Sequence, residues 1–324
     1  MTASNTAGPA GPGASHRGLQ DPTRRPGEWA ILQFLRGSAT IAILTTVAIV
    51  ASLFPPAIRF FRDLQAVHGV SFIEFATGTL WAPDFATPSF GVLPIVVGSS
   101  IVVILSLLVS VPVGLLSAIY LSEYAPARVR RIVKPALEVL EGVPTVAVGL
   151  FAFWFLRPTA QEAFPNLPWT GPFAILIGGM AVGLITVPLM ASVSDDAMRQ
   201  VPQSLREAAY ALGDSKARVA VRVVVPAAIS GIVAGIVLAA SRAVGETMIV
   251  LLAAGAGNPN LSFNLFAGVQ TMTAFIAGKA TGDIAQGTLI YDTIFAVGSL
   301  LFLVTLSLNL FAIRFVRRFR EVYE

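Results

Sequence analysis

The 324-residue chain is 55% hydrophobic and only 12% charged, with a mean hydropathy of +0.76. A soluble domain carries about 25% charged residues, so too few polar side chains remain to cover a water-facing surface, which argues against a soluble enzyme, a disordered chain or a nucleic-acid-binding domain. The absence of cysteine excludes disulfides, thiolate catalysis and zinc–sulfur sites, and two histidines, His16 and His68, offer no histidine-based metal site. Composition leaves an integral membrane protein.

Residues 1–28 are rich in Gly, Pro, Ala and Ser without apolar period, and are expected to form a disordered tail. Gly37–Ile58 then runs uncharged for 22 residues, too long for a signal-peptide core and long enough for a transmembrane helix, with Pro55 and Pro56 expected at its outer end. Five further runs follow: Leu93–Tyr120, Ile132–Leu156, Phe173–Val193, Ile229–Ala253 and Leu289–Ile313. No period-2 alternation suggests a barrel, and in hydrocarbon the backbone must bond to itself, so all six are predicted helices. The outer segments hold Trp81, Phe85, Trp169 and Pro172 as interfacial anchors and turns, and Leu261–Ala277 is apolar enough for a short helix in or on the outer leaflet. Gly179/Gly183 and Gly231/Gly235 have the small-xxx-small spacing of close helix contacts.

The basic residues divide unequally among the connections. Arg59, Arg62, Arg157 and Lys279 fall on one side, Arg242 lies within a span, and the remaining Lys and Arg all fall on the other side. The richer side is cytoplasmic by the positive-inside rule, which puts both termini inside.

The connection Ser194–Ser230 is too patterned for a simple reversal. Leu205, Ala208, Ala209 and Leu212 fall at i, i+3, i+4 and i+7 and predict one apolar face on a short helix, with Arg206 and Glu207 away from it. Gly213 suits a left-handed helix stop, and Asp214 or Ser215 can cap a second helix running into Pro226. Glu207-Ala208-Ala209, then Gly213, then Val223-Val224-Val225-Pro226 resembles the "EAA" motif of ABC-importer permeases, with two Val in place of the usual aliphatics before the proline. The resemblance implies that this helix–turn–helix seats in a cleft on a separate ATPase subunit, with Glu207, Ala208, Ala209, Gly213 and Pro226 as coupling residues. An interfacial helix lying on lipid is the bland alternative. The chain has no phosphate-binding loop of its own: the only Gly-Lys pair, Gly278-Lys279, is followed by Ala280 and has Thr273 where the first glycine belongs.

Arg242 and Glu246, i and i+4 within the fifth span, are expected to share a helix face. Charges in a span are costly and usually face an interior pathway, the alternative being an ion pair that only locks helices. Glu138 and Glu141, near the inner end of the third span, are expected to be interfacial residues pairing with nearby basic side chains such as Lys134, and Asp292 to serve the entry of the sixth. Arg242-Ala243-Val244-Gly245-Glu246-Thr247-Met248 is similar to the signature of phosphate-specific ABC permeases, as are Ala118–Ala125, Gly142-Val143-Pro144-Thr145 and Gly149-Leu150. Phe75–Trp81, Phe90–Pro94 and Met248 resemble the PstC type in particular.

The resemblance, over roughly residues 30–324, implies an all-α membrane protein of six transmembrane helices: a MetI-like, type I ABC-importer permease core plus an N-terminal helix. Taken with the hydropathy and charge pattern, the expected division is a disordered cytoplasmic tail 1–28, an N-terminal transmembrane helix 29–62, a periplasmic loop 63–90, a permease core 91–313 with cytoplasmic coupling loop 194–230, and a cytoplasmic C-terminus 314–324. The resemblance further implies Arg242 and Glu246 as the phosphate pathway, no catalytic or metal residue, and no bound cofactor, ATP being used by a partner. The implied partners are a PstA-like permease, a PstB-like ATPase dimer, a periplasmic or lipid-anchored phosphate-binding protein and membrane lipid, with no nucleic acid. The rivals are a PstA-role or other-anion permease, a secondary transporter or channel, and a membrane-embedded enzyme; no clear inverted repeat and no cluster of carboxylates or histidines favours the last two.

Overall fold

A computed structural model describes residues 26–319, so the predicted tail falls almost wholly outside the described residues, as does the end of the C-terminus. Residues through Ser52 form one unit and Leu53 onward a second. The described residues are overwhelmingly helical. Helix α1, Pro26–His68, runs 43 residues, and in the first unit its apolar side chains, Phe34, Ile41, Leu44 and Val47 among them, are exposed.

The expected stop at Pro55–Pro56 does not occur: α1 continues through both prolines. Tertiary burial outweighs the lost hydrogen bonds. Ala57, Phe60 and Leu64 line one face and are buried, and Phe60 and Leu64 pack with Phe75, Trp81, Phe90, Ile95 and Phe275. This cluster is built from α2 (Phe72–Thr77), the two-residue strands β1 (Trp81–Ala82) and β2 (Ser89–Phe90), and the start of α3 (Leu93–Ile119). The strands are antiparallel, with Trp81 opposite Phe90. Edge-to-face aromatic contacts, such as Trp81 on Phe275 with centroids 5.1 Å apart, knit the cluster.

Helix α3 matches its predicted run and ends in a π-helical turn, Tyr120–Tyr124. The third span is where expectation fails. Instead of one helix over Ile132–Leu156, the chain forms α4 (Ala127–Glu141), a break, α5 (Thr145–Phe151), a π turn at Ala152–Leu156 and α6 (Arg157–Ala163), bent by 89° at the break. Pro144 supplies the cause, because a proline disfavours helical backbone in the residue before it.

Helix α7 (Ile175–Arg199) is the most buried of the long helices. A Cβ on Gly179 would stand 2.5 Å from Leu105 Cβ, and one on Gly183 would stand 2.7 Å from Val109 Cβ, so the predicted small-residue pair lets α7 and α3 touch. The first N–H groups of α7 are satisfied from outside the helix: Ile175 donates to the Ala267 carbonyl and Leu176 to that of Leu265.

The connection between α7 and α11 follows as α8 (Gln203–Ala211), α9 (Lys216–Val219), a π turn at Ala220–Val224 and α10 (Val225–Ala227), then a 72° bend into α11 (Ile229–Gly245). Gly231 of α11 would place a Cβ 2.3 Å from Ala197 Cβ on α7, so the second glycine pair is also a close contact. After α11 come a π turn at Val250–Ala254, an irregular segment, α12 (Met272–Ala280) and α13 (Leu289–Phe319). Of the short helix predicted over Leu261–Ala277, only the part from Met272 forms; the stretch before it supplies carbonyls to α7. Among the described residues four helices are long and apolar enough to cross a membrane alone, and the number reaches six if each bent pair is one span.

Candidate functional site

Two regions bear the candidate residues. The first is the fifth span, which is not continuous. Helix α11 stops at Gly245 and Glu246 has extended backbone, φ −68° and ψ 124°. The i, i+4 relation between Arg242 and Glu246 therefore has no helix to carry it, and the two side chains take different partners. Glu246 is buried, and its Oε1 accepts from the Ile249 N–H at 3.4 Å, while its carbonyl accepts from Thr273 Oγ1 at 2.9 Å. A carboxylate placed on the first free N–H groups of a helical segment is stabilised there by the helix dipole.

Arg242 instead reaches Glu141, the last residue of α4. Its Nη1 donates to Glu141 Oε1 at 3.3 Å and its Nη2 to the Glu141 carbonyl at 3.4 Å. Both side chains remain about one-third exposed, at 29% and 34%. A single guanidinium thus bridges the breaks of two spans, next to glycines with room around them: Gly142 and Gly245 are exposed, and a Cβ on Gly245 would meet nothing within 4 Å. Beyond the breaks, α5 packs on the continuation of the fifth span, where a Cβ on Gly149 would stand 3.2 Å from Ile249 Cα.

The expected pairing of Glu141 with Lys134 is not found. Lys134 bonds to Asp196 and lies 3.8 Å from Asp195, and Asp195 pairs with Arg130 at 2.5 Å. Asp195 is fully buried on α7, so these contacts fasten α4 to the C-terminal end of α7. The sequence signal was available in Asp195-Asp196 at the end of a span facing a basic connection. Asp292, at the start of α13, is buried and lies 3.4 Å from Arg59.

The second region is the connection between α7 and α11. Gly213 has φ +83°; its N–H donates to the Tyr210 carbonyl and the Asp214 N–H to that of Ala209, the paired bonds of a Schellman stop. Ser215 takes the N-cap position without a side-chain bond, and Asp214 pairs with Arg218 at 2.9 Å. The predicted apolar face of α8 is divided. Ala209 is buried and Leu205 half-buried, but Ala208 is exposed and Leu212 is 87% exposed. Glu207 and Pro226 are exposed as well, Pro226 beside the 72° bend.

Arg206 reverses its expected direction and points inward. Its Nη1 donates to the Val201 carbonyl at 2.6 Å, and its Nη2 to the Met198 carbonyl at 2.8 Å and to Glu123 at 3.2 Å. It thereby satisfies carbonyls at and beyond the end of α7 and ties α8 to the π turn after α3. Lys216 stands over the Tyr124 ring at 5.1 Å and ties α9 to the same turn.

Six apolar crossings, two of them broken near one cation, joined on one side by a small-residue helix–turn–helix, define a membrane permease core. The chain belongs to the binding-protein-dependent transport system inner membrane component family, whose model matches residues 110–321. It is 32% identical over 295 residues to the probable ABC transporter permease protein YqgH of Bacillus subtilis, covering 90% of this chain and 93% of that one. It is 31% identical to the phosphate transport system permease protein PstC of Mesorhizobium japonicum, over 83% of this chain and 84% of that one. PstC 1 of Mycobacterium tuberculosis is 30% identical over 79% and 83%.

Among solved structures, a bacterial ABC transporter importing alginate aligns with a TM-score of 0.59 at 17% identity, covering 90% of this chain and 99% of that one. The inward-facing MetNI methionine transporter aligns at 0.52 and 17%, covering 71% and 94%. These structures share the fold of a type I, MetI-like permease core. The protein is an inner-membrane component of a binding-protein-dependent transport system, and the relatives are permeases rather than enzymes.

Proposed function

We propose that this chain is the PstC-type permease subunit of an ATP-driven phosphate importer, forming the translocation pathway with a PstA-like partner. The observation that carries the reading is Arg242, a cation well inside the fifth apolar span of the sequence, set beside the breaks of two spans. A guanidinium offers a planar fork of donors suited to phosphate oxygens. Half-neutralised by a carboxylate, it would attract an anion without holding it. The PstC names of relatives matching most of the chain support phosphate as that anion. Glu246 serves the same pathway by capping the segment beyond the break, keeping the fifth span open beside Arg242.

The coupling assignment is supported by the surface of α8. Leu212, Ala208 and Glu207 stand exposed on a helix closed by Gly213, which suits a projection into a groove on a PstB-like ATPase dimer. Ala209 would seat the helix on its own chain, and Pro226 would set the bend through which a push reaches α11. ATP would be bound and hydrolysed on that partner, with no cofactor on this chain. A periplasmic or lipid-anchored phosphate-binding protein would deliver the anion on the side opposite α8. The distribution of Lys and Arg supports cytoplasmic termini and a cytoplasmic α8.

Purifying the complex and measuring which anion-loaded binding protein stimulates ATP hydrolysis tests the reading. Stimulation by phosphate and not by sulfate is expected. Stimulation by another anion alone would leave the fold assignment standing and remove the substrate.

A further inference from the structure

We propose that Glu141 is the internal counter-ion of the anion pathway: its carboxylate occupies Arg242 between cycles and gives it up when phosphate arrives. The inference rests on the reading that Arg242 lines that pathway. The carboxylate expected to compensate Arg242 is committed elsewhere, since Glu246 is buried and accepts from the Ile249 N–H. Glu141 takes its place from a different helix.

The contact is made to be displaced. Charge-assisted bonds in a settled pair close to about 2.7–2.9 Å and an Arg–carboxylate pair is frequently a two-bond fork. Here one carboxylate oxygen lies 3.3 Å from Nη1, and the second donor is spent on the main-chain carbonyl at 3.4 Å. Both side chains are about one-third exposed, so this chain leaves one side of the guanidinium uncovered. Arg130 provides the contrast within the same chain, holding the Asp195 carboxylate at 2.5 Å with side chains only 15% and 1% exposed.

Location adds to the geometry. Glu141 is the last helical residue before the 89° bend, so no following helical turn constrains its side chain. The opposite end of α4 is fastened to α7 through Arg130 and Lys134 on Asp195. Displacement of Glu141 can therefore be a side-chain movement that leaves α4 in place. An incoming dianion outcompetes a monoanion for the guanidinium, and the returning carboxylate then weakens the hold and expels the anion. Without the carboxylate, phosphate would enter readily and leave slowly.

The test uses the complete transporter in lipid nanodiscs and proteoliposomes, with Glu141→Gln, Glu141→Asp and Arg242→Ala. Glu141→Gln is expected to bind inorganic phosphate about ten-fold more tightly at equilibrium, and to lower both KM and maximal uptake rate. Glu141→Asp is expected to restore most of the rate, which a merely structural role in assembly would not predict alongside tighter binding. Unchanged phosphate affinity and unchanged KM in an assembled Glu141→Gln complex would overturn the counter-ion role while leaving the pathway intact. Normal uptake by Arg242→Ala would overturn the pathway reading itself, and the counter-ion role with it.

Discussion

The α3–α7–α8 frame and the two broken spans solve opposite problems with the same residue types. In the frame, glycines let helices touch, as where Gly183 faces Val109, and an arginine is tied down by buried carbonyls and Glu123. At the breaks, glycines Gly142 and Gly245 stand in the open, and Arg242 and its carboxylate partner are each about one-third exposed. The difference teaches that neither an arginine nor a glycine in such a chain has a fixed meaning. What decides is whether the backbone around it has spare carbonyls to be satisfied or spare room to be filled.

Substitutions in the frame should sharpen that contrast by costing stability first. Arg206→Ala removes the donor to two carbonyls and the cation paired with Glu123, which is 5% exposed. Breaking a buried pair in this way costs about 3–5 kcal/mol, and a corresponding loss of folded, monodisperse protein after heating in detergent is expected. Gly183→Leu drives a side chain into Val109 and the Ser106 carbonyl; overpacking of this kind costs about 1–3 kcal/mol, visible as a lowered Tm. Gly213→Val forces a β-branched residue to φ +83°, at about 1–2 kcal/mol. There the larger expected effect is functional: loss of ATPase docking, or ATP hydrolysis without uptake, measured by co-purification and coupled uptake. Arg218→Ala, which removes an exposed i, i+4 pair with Asp214, should change Tm by no more than about 0.5 kcal/mol would. A large loss there with little from Arg206→Ala would invert the comparison.

Much of the frame was legible in the sequence because hydropathy and small-residue spacing are local signals. Leu93–Tyr120 anticipated α3 to within a residue, Gly179/Gly183 and Gly231/Gly235 anticipated real helix contacts, and the Gly213 stop stands where its spacing put it. The breaks were hidden because an apolar run reads alike whether its backbone is continuous or not. Pro144 announced the first break; Glu246, with no proline beside it, gave no comparable sign of the second. Proline alone misleads in the other direction too: Pro55 and Pro56 do not end α1, since Phe60 and Leu64 repay its continuation by burial. Pro112 and Pro188 are likewise absorbed within α3 and α7.

The candidate site was legible in its residues and not in its pairings. Arg242 stood out as a cation within a span, but its partner lies 101 positions away in sequence, beyond any helical spacing rule. Arg206 was misplaced for the same reason. A helical wheel puts it on the polar face, while the carbonyls that draw it inward belong to the end of another helix. Helix faces follow from periodicity; the partners of a long charged side chain follow from tertiary structure.

Proteoliposomes holding this chain and its permease partner, loaded with ATP and supplied with phosphate-charged binding protein, give the most direct measurement. Phosphate should accumulate only when the ATPase subunit is present, and removing that subunit should reduce uptake to the level of empty vesicles. Sustained accumulation without it would contradict a pathway driven from outside the chain.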